Sequence, residues 1–518
     1  MKLPIHGVVL AAVLVFTACA PQTPAASKPD QSQQQQAQNG GIMRVVENAE
    51  GGAPIGTPWE IRGIDTKLPK PAIENLLRED PNGNYSGWLA ESWDADATKN
   101  TLTLHLAKGV KFQDGTDFNA TAVKWNLQHA IDAKNITGWK SFDVVDDSTL
   151  RINLDAYQND YLSALSGTTV GGMISPTAFD KNGLDWARAN PVGTGPFKLD
   201  SFERGSKLRY VKWDGYWKKG LPHLDGIEYL FIRDSMTQQT AMLAKGDQRV
   251  DVLASTSGEQ AAALKAQGLN VVSMPVGPVS LIPDSKNADS PLSKVKVREA
   301  ISYAIDRESI AKARGFGYWQ PAYQLPNPGS PSYLADFAGH KFDAAKAKQL
   351  LAEAGVPSGF KTKIVIMPAL VDKDAMTAVQ ANLAAVGITV ELETPDSGGY
   401  TQMRFNGGWS NGFLAQHTRA LATFNITYNF YFPEQTGQFP PLMRPAGFLD
   451  KLAVSLKTPA PDPKLGLELT KMLTDDLTVI PVYYVNEMYI LQSNVRDSGY
   501  NEWSAGTIST PEKAWLAK

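Results

Sequence analysis

The number of cysteines limits how this chain of 518 residues can be stabilised. It contains one cysteine, Cys19, so no disulfide can form within a single copy of the chain. Without a covalent cross-link, the folded state must be stabilised by burying a large hydrophobic core. The length of the chain suits about three domains. The sequence therefore predicts a large protein of several domains that packing alone holds together.

The N-terminal segment is typical of an export signal. An apolar run from Gly7 to Ala18 precedes Cys19 and is too short to span a bilayer as a permanent helix. The pattern resembles a bacterial lipoprotein signal in which Cys19 is acylated, although Phe16 stands where leucine is usual. The alternative is an ordinary signal peptide that is cleaved after Ala20. This alternative is disfavoured because Pro21 would directly follow the cleavage site. Both interpretations export the protein.

The segment after Cys19 is predicted to be a flexible tether. Residues 20–40 consist mainly of Gln, Pro, Ala and Ser, with almost no large apolar side chain, so they cannot bury enough surface to fold. No second long apolar stretch follows, and we expect the body to be soluble outside the inner membrane. A tether behind a lipidated cysteine would hold that body close to a membrane.

Composition argues against two classes of partner. The formal net charge is -3, so there is no basic excess to neutralise the phosphates of a nucleic acid. The six histidines lie far apart and form neither a His-x3-His pair nor a His-Glu-x-x-His pattern. The sequence therefore predicts no nucleic-acid partner, no metal site and no cofactor.

Helical and strand patterns alternate along the body. Thr101 to Leu106 alternates apolar and polar residues, which predicts a strand, and Asn119 is a good N-cap for a helix that ends near Ala133. Further helices are predicted after Asp306, from Asp343 to Gly355, over 373–386 and from Asp462-Pro463, and further strands over 209–211, 228–232, 388–392 and 480–485. This alternation favours an α/β architecture.

Several segments in a fixed order resemble the family 5 extracellular solute-binding proteins, the dipeptide-, oligopeptide- and nickel-binding components of ABC importers. They are LAESWDAD at 89–96, LHLAKGVKFQDGTDFNATAV at 104–123, NPVGTGPFKL at 190–199, DGYWKKGLPHLDGI at 214–227, VREAISYAIDRESI at 297–310, FDAAKAKQLLAEAG at 342–355 and IPVYYV at 480–485. The resemblance runs from about Ile42 to the C-terminus. Four glycines in these segments, Gly109, Gly115, Gly193 and Gly195, are predicted at turns with unusual backbone angles.

The resemblance implies an α/β protein of two lobes joined by a hinge, with a subdomain inserted in lobe one. The implied divisions are a signal peptide at 1–18, a tether at 19–41, lobe one at 43–60, 190–278 and 485–518, the inserted subdomain at 61–189, and lobe two at 279–484. It also implies a monomer that captures a solute between the lobes and delivers it to an ABC permease. With a lipid anchor, the protein would sit at the membrane, in the periplasm or on the outer cell surface.

Other functions remain open from the sequence. A surface sensor or a chaperone-like peptide binder would use the same scaffold. Residues 408–412 also match G-x-S-x-G, the nucleophile motif of serine hydrolases, but no acid separates Ser410 from His417, the last histidine of the chain. The triad order therefore cannot be completed, and we predict no enzyme activity.

The ligand site is predicted mainly in lobe two. In peptide-binding relatives, a Gly-Trp segment is followed by an aspartate that pairs with the peptide's ammonium group. The matching segment here contains Trp409, but no Asp or Glu occurs from 407 to 432, where His417 and Arg419 lie. Arg404 precedes it. We therefore predict a neutral or anionic solute, of the peptide, opine or oligosaccharide class, that stacks on Trp409 or pairs with an arginine.

Further contacts are predicted from both lobes. Trp59 and the pair Ser255 and Thr256, which follow a predicted strand, are the candidates in lobe one. Tyr400 is the additional candidate in lobe two, with Tyr428 and Tyr431 as weaker ones.

Overall fold

One eleven-stranded sheet links the two halves of the body. The computed structural model describes residues 36–48, 50, 52–61, 66–80, 83–255, 257–367, 370–420, 423–433, 438–500 and 511–518. The predicted signal peptide and Cys19 lie outside these residues. From residue 38 onward the described chain forms one compact unit.

The described strands are β1 Ile42–Glu47, β2 Leu77–Glu79, β3 Tyr85–Gly87, β4 Ala90–Asp96, β5 Thr101–Leu106, β6 Trp139–Asp146, β7 Thr149–Leu154, β8 Phe197–Glu203, β9 Lys207–Lys212, β10 Gly226–Phe231, β11 Val252–Ser255, β12 Asn270–Pro283, β13 Gln320–Pro321, β14 Lys361–Val365, β15 Thr389–Glu393, β16 Phe413–His417, β17 Ile480–Leu491, β18 Val495–Arg496 and β19 Trp515–Leu516.

The described α-helices are α1 Ala120–Asp132, α2 Tyr161–Ser166, α3 Thr168–Gly171, α4 Pro176–Asn182, α5 Leu184–Ala189, α6 Ser235–Leu243, α7 Gly258–Ala266, α8 Val295–Ala304, α9 Arg307–Gly315, α10 Ala344–Glu353, α11 Lys373–Ala384, α12 Ser397–Asn406, α13 Phe424–Tyr431, α14 Phe448–Leu456 and α15 Pro463–Asp475. Short 3-10 helices cover Pro58–Glu60, Gly246–Gln248 and Pro291–Ser293.

The long strands β12 and β17 cross from one lobe to the other. The sheet order is β15-β14-β16-β12-β17-β11-β1-β10-β9-β8, with β13 added against β17. Strands β14 to β16 therefore belong to lobe two and β8 to β11 with β1 to lobe one. The antiparallel pairing of β12 with β17 is irregular between Pro275 and Pro278. This bulge, opposite Tyr484 to Asn486, supports a hinge there, and the lobe boundaries remain a proposal.

The inserted subdomain has its own sheet and core. Its four strands run in the order β4-β5-β7-β6. Strand β5 alternates half-buried and buried residues, so one face packs on helix α1 and the subdomain core. Asn119 caps α1, and its side chain accepts a hydrogen bond from the backbone nitrogen of Ala122 at 3.0 Å. The predicted strand and the predicted cap are both confirmed.

Two of the four predicted turn glycines have a different role. Gly109 and Gly115 have φ angles of +75° and +89°, as expected for turns. Gly193 and Gly195 do not have positive φ. A Cβ at Gly193 would lie 2.1 Å from the Ala72 oxygen, and one at Gly195 would lie 2.5 Å from the Pro71 oxygen. These two glycines therefore permit close backbone approach, and the prediction of unusual angles is wrong for them.

Candidate functional site

A cavity of about 610 Å³ lies where the inserted subdomain, β12 and lobe two meet. Its described lining residues are Gly83, Asn84, Tyr85, Trp93 and Leu162 from the subdomain, Met274, Pro275 and Val276 from β12, and 325–332, Ala420, Thr423, Phe424, Thr427, Tyr428, Pro459, Ala460, Pro461 and Pro463 from lobe two. The volume lies within the range of about 300–1,000 Å³ that is usual for small-molecule sites. A solute there would contact both lobes.

The segment 325–332, which we call the cavity loop, is fixed from two sides. Tyr484 on β17 places its hydroxyl 2.8 Å from the carbonyl oxygens of both Gln324 and Pro326. The Asn327 side-chain nitrogen donates to the Pro275 carbonyl at 3.0 Å. The hinge strands therefore set the position of the cavity loop.

Three polar atoms on the cavity wall lack a partner. Tyr85 Oη, Asn327 Oδ1 and Ser330 Oγ are inaccessible to solvent and accept or donate no hydrogen bond. Tyr85 Oη lies near the hydroxyls of Ser163 and Thr423 without a hydrogen bond of standard geometry to either. Burial raises the pKa of Tyr85 well above its usual value, so its hydroxyl stays neutral. Unpartnered buried polar atoms are costly, and the described protein supplies no partner for these three.

No Asp, Glu, Lys, Arg or His occurs among the described residues that line the cavity. Two charged residues close to the lining in sequence have partners. Arg419 precedes Ala420 and forms an ion pair with Glu487 at 3.2 Å. Asp160 accepts a hydrogen bond from the Asn429 side chain at 3.1 Å, although its other carboxylate oxygen is buried without a partner.

Next to the cavity, Asn159 of the inserted subdomain joins the end of helix α14 in lobe two. Its backbone nitrogen donates to the Leu456 oxygen at 2.8 Å. Its side-chain nitrogen donates to the carbonyl oxygens of Ser455 at 2.9 Å and Thr458 at 3.0 Å. Asn425 donates to the Asn159 side-chain oxygen. The subdomain therefore caps free carbonyl groups at a helix C-terminus of the other lobe.

The aromatic candidates of lobe two are in its core. Trp409 is 0% exposed and packs edge-on against Phe439, with ring centroids 6.4 Å apart. Tyr400 is also buried, and its hydroxyl donates to the Ala415 oxygen at 2.7 Å. Both residues belong to one hydrophobic cluster of the core, and neither is among the described lining residues. This corrects the prediction that Trp409 forms the stacking surface. Tyr428, a weaker candidate, does line the cavity.

The charged candidates of lobe two are engaged inside the protein. Arg404 donates to the Gln438 side chain at 3.1 Å and lies over the Phe439 ring. Burial lowers the pKa of His417 to about 4, and its Nε2 has no hydrogen-bond partner. His417 is therefore neutral at physiological pH. Arg404 and His417 are not among the described lining residues. Arg419 is not among them either, but it directly precedes the lining residue Ala420.

The candidates of lobe one lie elsewhere. Trp59 is buried in an aromatic cluster with Trp125, His129 and Phe179 of the inserted subdomain. The Ser255 hydroxyl donates to the Gln260 side chain at 2.7 Å. Both are absent from the described cavity lining. Thr256 lies outside the described residues.

Sequence patterns did not indicate Tyr85, Asn327 or Ser330 as site residues. The cavity loop has the sequence LPNPGSPS and lies in a long connection between α9 and α10 that holds only the two-residue strand β13. Long connections of this kind in compact domains are often functional. The length of this connection was therefore the one sequence feature that could have indicated a binding loop.

The hydrolase-like motif has the wrong structural context. Ser410 is exposed in a turn that leads from helix α12 into strand β16. A nucleophile elbow requires the opposite order, a strand followed by a helix.

Two structural features are absent from the described residues. They contain no group of three or more His, Cys, Asp or Glu side chains placed to hold a metal ion. They also contain no helix with the length and apolar character needed to cross a membrane.

A family model described as bacterial extracellular solute-binding proteins, family 5 Middle, matches residues 84–438. The glutathione-binding protein GsiB of Salmonella choleraesuis is 34% identical over 347 residues, which are 65% of this chain and 66% of that relative. The match thus spans just under two thirds of the relative's own length.

Solved structures share the fold. The periplasmic binding protein DppA from Helicobacter pylori, in complex with the peptide STSA, has a TM-score of 0.74 at 20% identity and covers 93% of this chain and 99% of its own. NikA from Brucella suis, in complex with Fe(III)-EDTA, has a TM-score of 0.78 at 21% identity and covers 92% of this chain and 100% of its own. The two-lobe α/β fold with an inserted subdomain is confirmed.

Proposed function

The chain belongs to the bacterial extracellular solute-binding proteins of family 5, and from this premise we propose that it is the solute-binding component of an ABC importer. It captures a small organic solute between its lobes and delivers that solute to the permease. The interlobe cavity, with three unpartnered polar atoms on its wall, is the observation that carries the proposal.

The geometry suits capture by closure. Tyr85 belongs to the inserted subdomain of lobe one, whereas Asn327 and Ser330 belong to lobe two, so one solute bonded to both sides would favour the closed form. The irregular pairing of β12 with β17 between Pro275 and Pro278 offers a place for bending. No chemical step is needed for this function.

The names of the relatives agree with a solute of peptide size. GsiB is named a glutathione-binding protein, and the DppA structure holds a four-residue peptide. A cavity of about 610 Å³ suits a molecule of that size. We propose Tyr85, Asn327 and Ser330 as its polar contacts in place of Trp409.

The proposal includes the location and partners. Cys19 carries a lipid anchor, residues 19–41 tether the body to the membrane, and a monomer docks on the permease in the periplasm or on the outer cell surface. The description of the family as extracellular solute-binding proteins supports the location outside the cytoplasm.

The test is uptake by cells. Native mass spectrometry of the protein, purified without refolding, identifies the co-purified solute, and labelled solute then measures import. Deleting the gene should abolish uptake. The wild-type gene should restore it, and Ser330→Trp, which fills the cavity, should not. Ser410→Trp, on an exposed turn, is the matched control and should restore uptake. Normal uptake in the deletion strain would instead favour a sensor or chaperone-like binder.

A further inference from the structure

We propose that the cavity selects an uncharged solute, one with at least one N–H or O–H donor and no free ammonium or carboxylate group. This inference rests on the proposed function and names the class of its ligand. It narrows the choice between neutral and anionic solutes that the sequence left open.

The absence of charge on the wall is the first argument. None of the described lining residues is ionisable except Tyr85 and Tyr428, and burial raises the pKa of both hydroxyls above the usual value. The sequence also carries no charge at 81–82 or 421–422, next to lining residues. A charge enclosed here would lose its hydration without gaining an opposite charge, which is strongly unfavourable.

The flanking charges do not change this conclusion. The Arg419 guanidinium is paired with Glu487, and the Asp160 carboxylate accepts from Asn429. A solute that paired with Arg419 would have to separate it from Glu487. Asp160 deserves its own control, because one of its oxygens is buried without a hydrogen bond.

The unpartnered atoms specify neutral hydrogen bonding. The Asn327 side-chain nitrogen is already held by the Pro275 carbonyl, and its buried Oδ1 has no donor within the described protein. A solute that contacts this oxygen must therefore supply a donor. Tyr85 Oη and Ser330 Oγ can each donate or accept. Trp93, Phe424 and the prolines of the wall provide apolar contact for the rest of the molecule.

The experiment compares matched probes that differ in charge. Calorimetry at pH 7 measures binding of Ala-Phe-Ala, its end-blocked form acetyl-Ala-Phe-Ala-amide, and glutathione to the full mature chain. The blocked tripeptide should bind at least about tenfold more tightly than either charged probe. Asp160→Asn removes the charge and nearly keeps the shape of the side chain, and Arg419→Gln removes the charge and keeps an amide donor. Neither should alter that ratio by more than about twofold.

Each other outcome overturns the inference. Equal or tighter binding of Ala-Phe-Ala or glutathione means that the cavity accepts charge. If Asp160→Asn abolishes that binding, Asp160 is the anchor of an ammonium group. Failure of all three probes at millimolar concentration would also reject this ligand class. The proposed function would survive any of these results if Ser330→Trp still blocks uptake of the co-purified solute.

Discussion

The cavity and the base of the hinge lie side by side but differ in chemistry. At the hinge, Lys67 forms an ion pair with Glu47 at the end of β1, and Arg419 pairs with Glu487 on β17. Met274 on β12 is the strand partner of Glu487 on β17, and Met274 lines the cavity. The described residues that line the cavity carry no charge. We call the four charged residues the hinge cluster.

The contrast between paired charges at the hinge and neutral polar groups in the cavity distinguishes polar groups that stabilise the fold from polar groups that could bind a ligand. The charges of the hinge cluster satisfy one another, so they are not available to a solute. The polar groups of the cavity are neutral, and three of them have no partner inside the protein. Losing a member of the hinge cluster should therefore affect stability, whereas losing a cavity group should affect binding.

The largest expected effect tests the hinge cluster. Lys67→Met leaves the Glu47 carboxylate buried without its cation, and that carboxyl has a side-chain exposure of 6%. The free energy of unfolding at pH 7 should fall by about 2–3 kcal/mol, less than for a fully buried pair because Lys67 is 23% exposed. Denaturant unfolding followed by circular dichroism measures it. Lys140→Met breaks a solvent-exposed pair with Asp155 and should have almost no effect.

The same variant has a pH dependence of known sign. Burial raises the pKa of Glu47 above its usual value even with Lys67 present. A carboxyl group whose pKa is raised by folding binds more protons in the folded than in the unfolded protein. Its unfavourable contribution to the free energy of folding is therefore complete above the folded-state pKa and disappears below about 4.5, the usual pKa of the group. The destabilisation by Lys67→Met should therefore be smaller at pH 4 than at pH 7. A loss that is equal at both pH values would show that Glu47 is not responsible.

The next effect concerns the contact between the lobes. Asn159→Ala removes the side-chain bonds to Ser455 and Thr458 at the end of α14. The bond that Asn425 donates to the Asn159 side-chain oxygen is lost as well. The closed form should therefore lose about 2 kcal/mol relative to the open form. Small-angle scattering should show a larger radius of gyration, and binding of acetyl-Ala-Phe-Ala-amide should weaken. Asn153→Ala, whose side chain bonds only within its own sheet, is the control. An unchanged scattering profile would mean that Asn159 does not stabilise closure.

The sequence predicted elements that depend on local interactions. Asp306 and Asp343 cap helices as expected, and Asp462 with Pro463 begins α15. Each of these features needs only the residues within one turn. The strand predicted over 480–485 extends to Leu491, because its second half is fixed by pairing with distant strands β11 and β12.

The candidate site depended on distant contacts and was predicted less well. Trp409 could be placed in the expected segment, but its burial is decided by Phe439, thirty positions along the chain. Asn327 and Ser330 lie in a loop without periodicity, and they line the cavity because Tyr484 and Pro275 hold that loop. Local sequence patterns carry no information about either arrangement.

The smallest expected effect tests the cavity side of the comparison. Tyr85→Phe removes a buried hydroxyl that has no partner in the protein and keeps the ring against the cavity. Stability should stay the same or rise slightly, because an unsatisfied polar group is lost. Binding of acetyl-Ala-Phe-Ala-amide should weaken by about 1 kcal/mol, the usual worth of one neutral hydrogen bond. Tyr157→Phe provides the contrast, since the Tyr157 hydroxyl already donates to the Pro459 oxygen at 2.9 Å, and its loss should lower stability. Calorimetry and denaturant unfolding on both variants separate the two roles. If Tyr85→Phe destabilises the protein as Tyr157→Phe does and leaves binding unchanged, the Tyr85 hydroxyl is structural and the comparison fails at this residue.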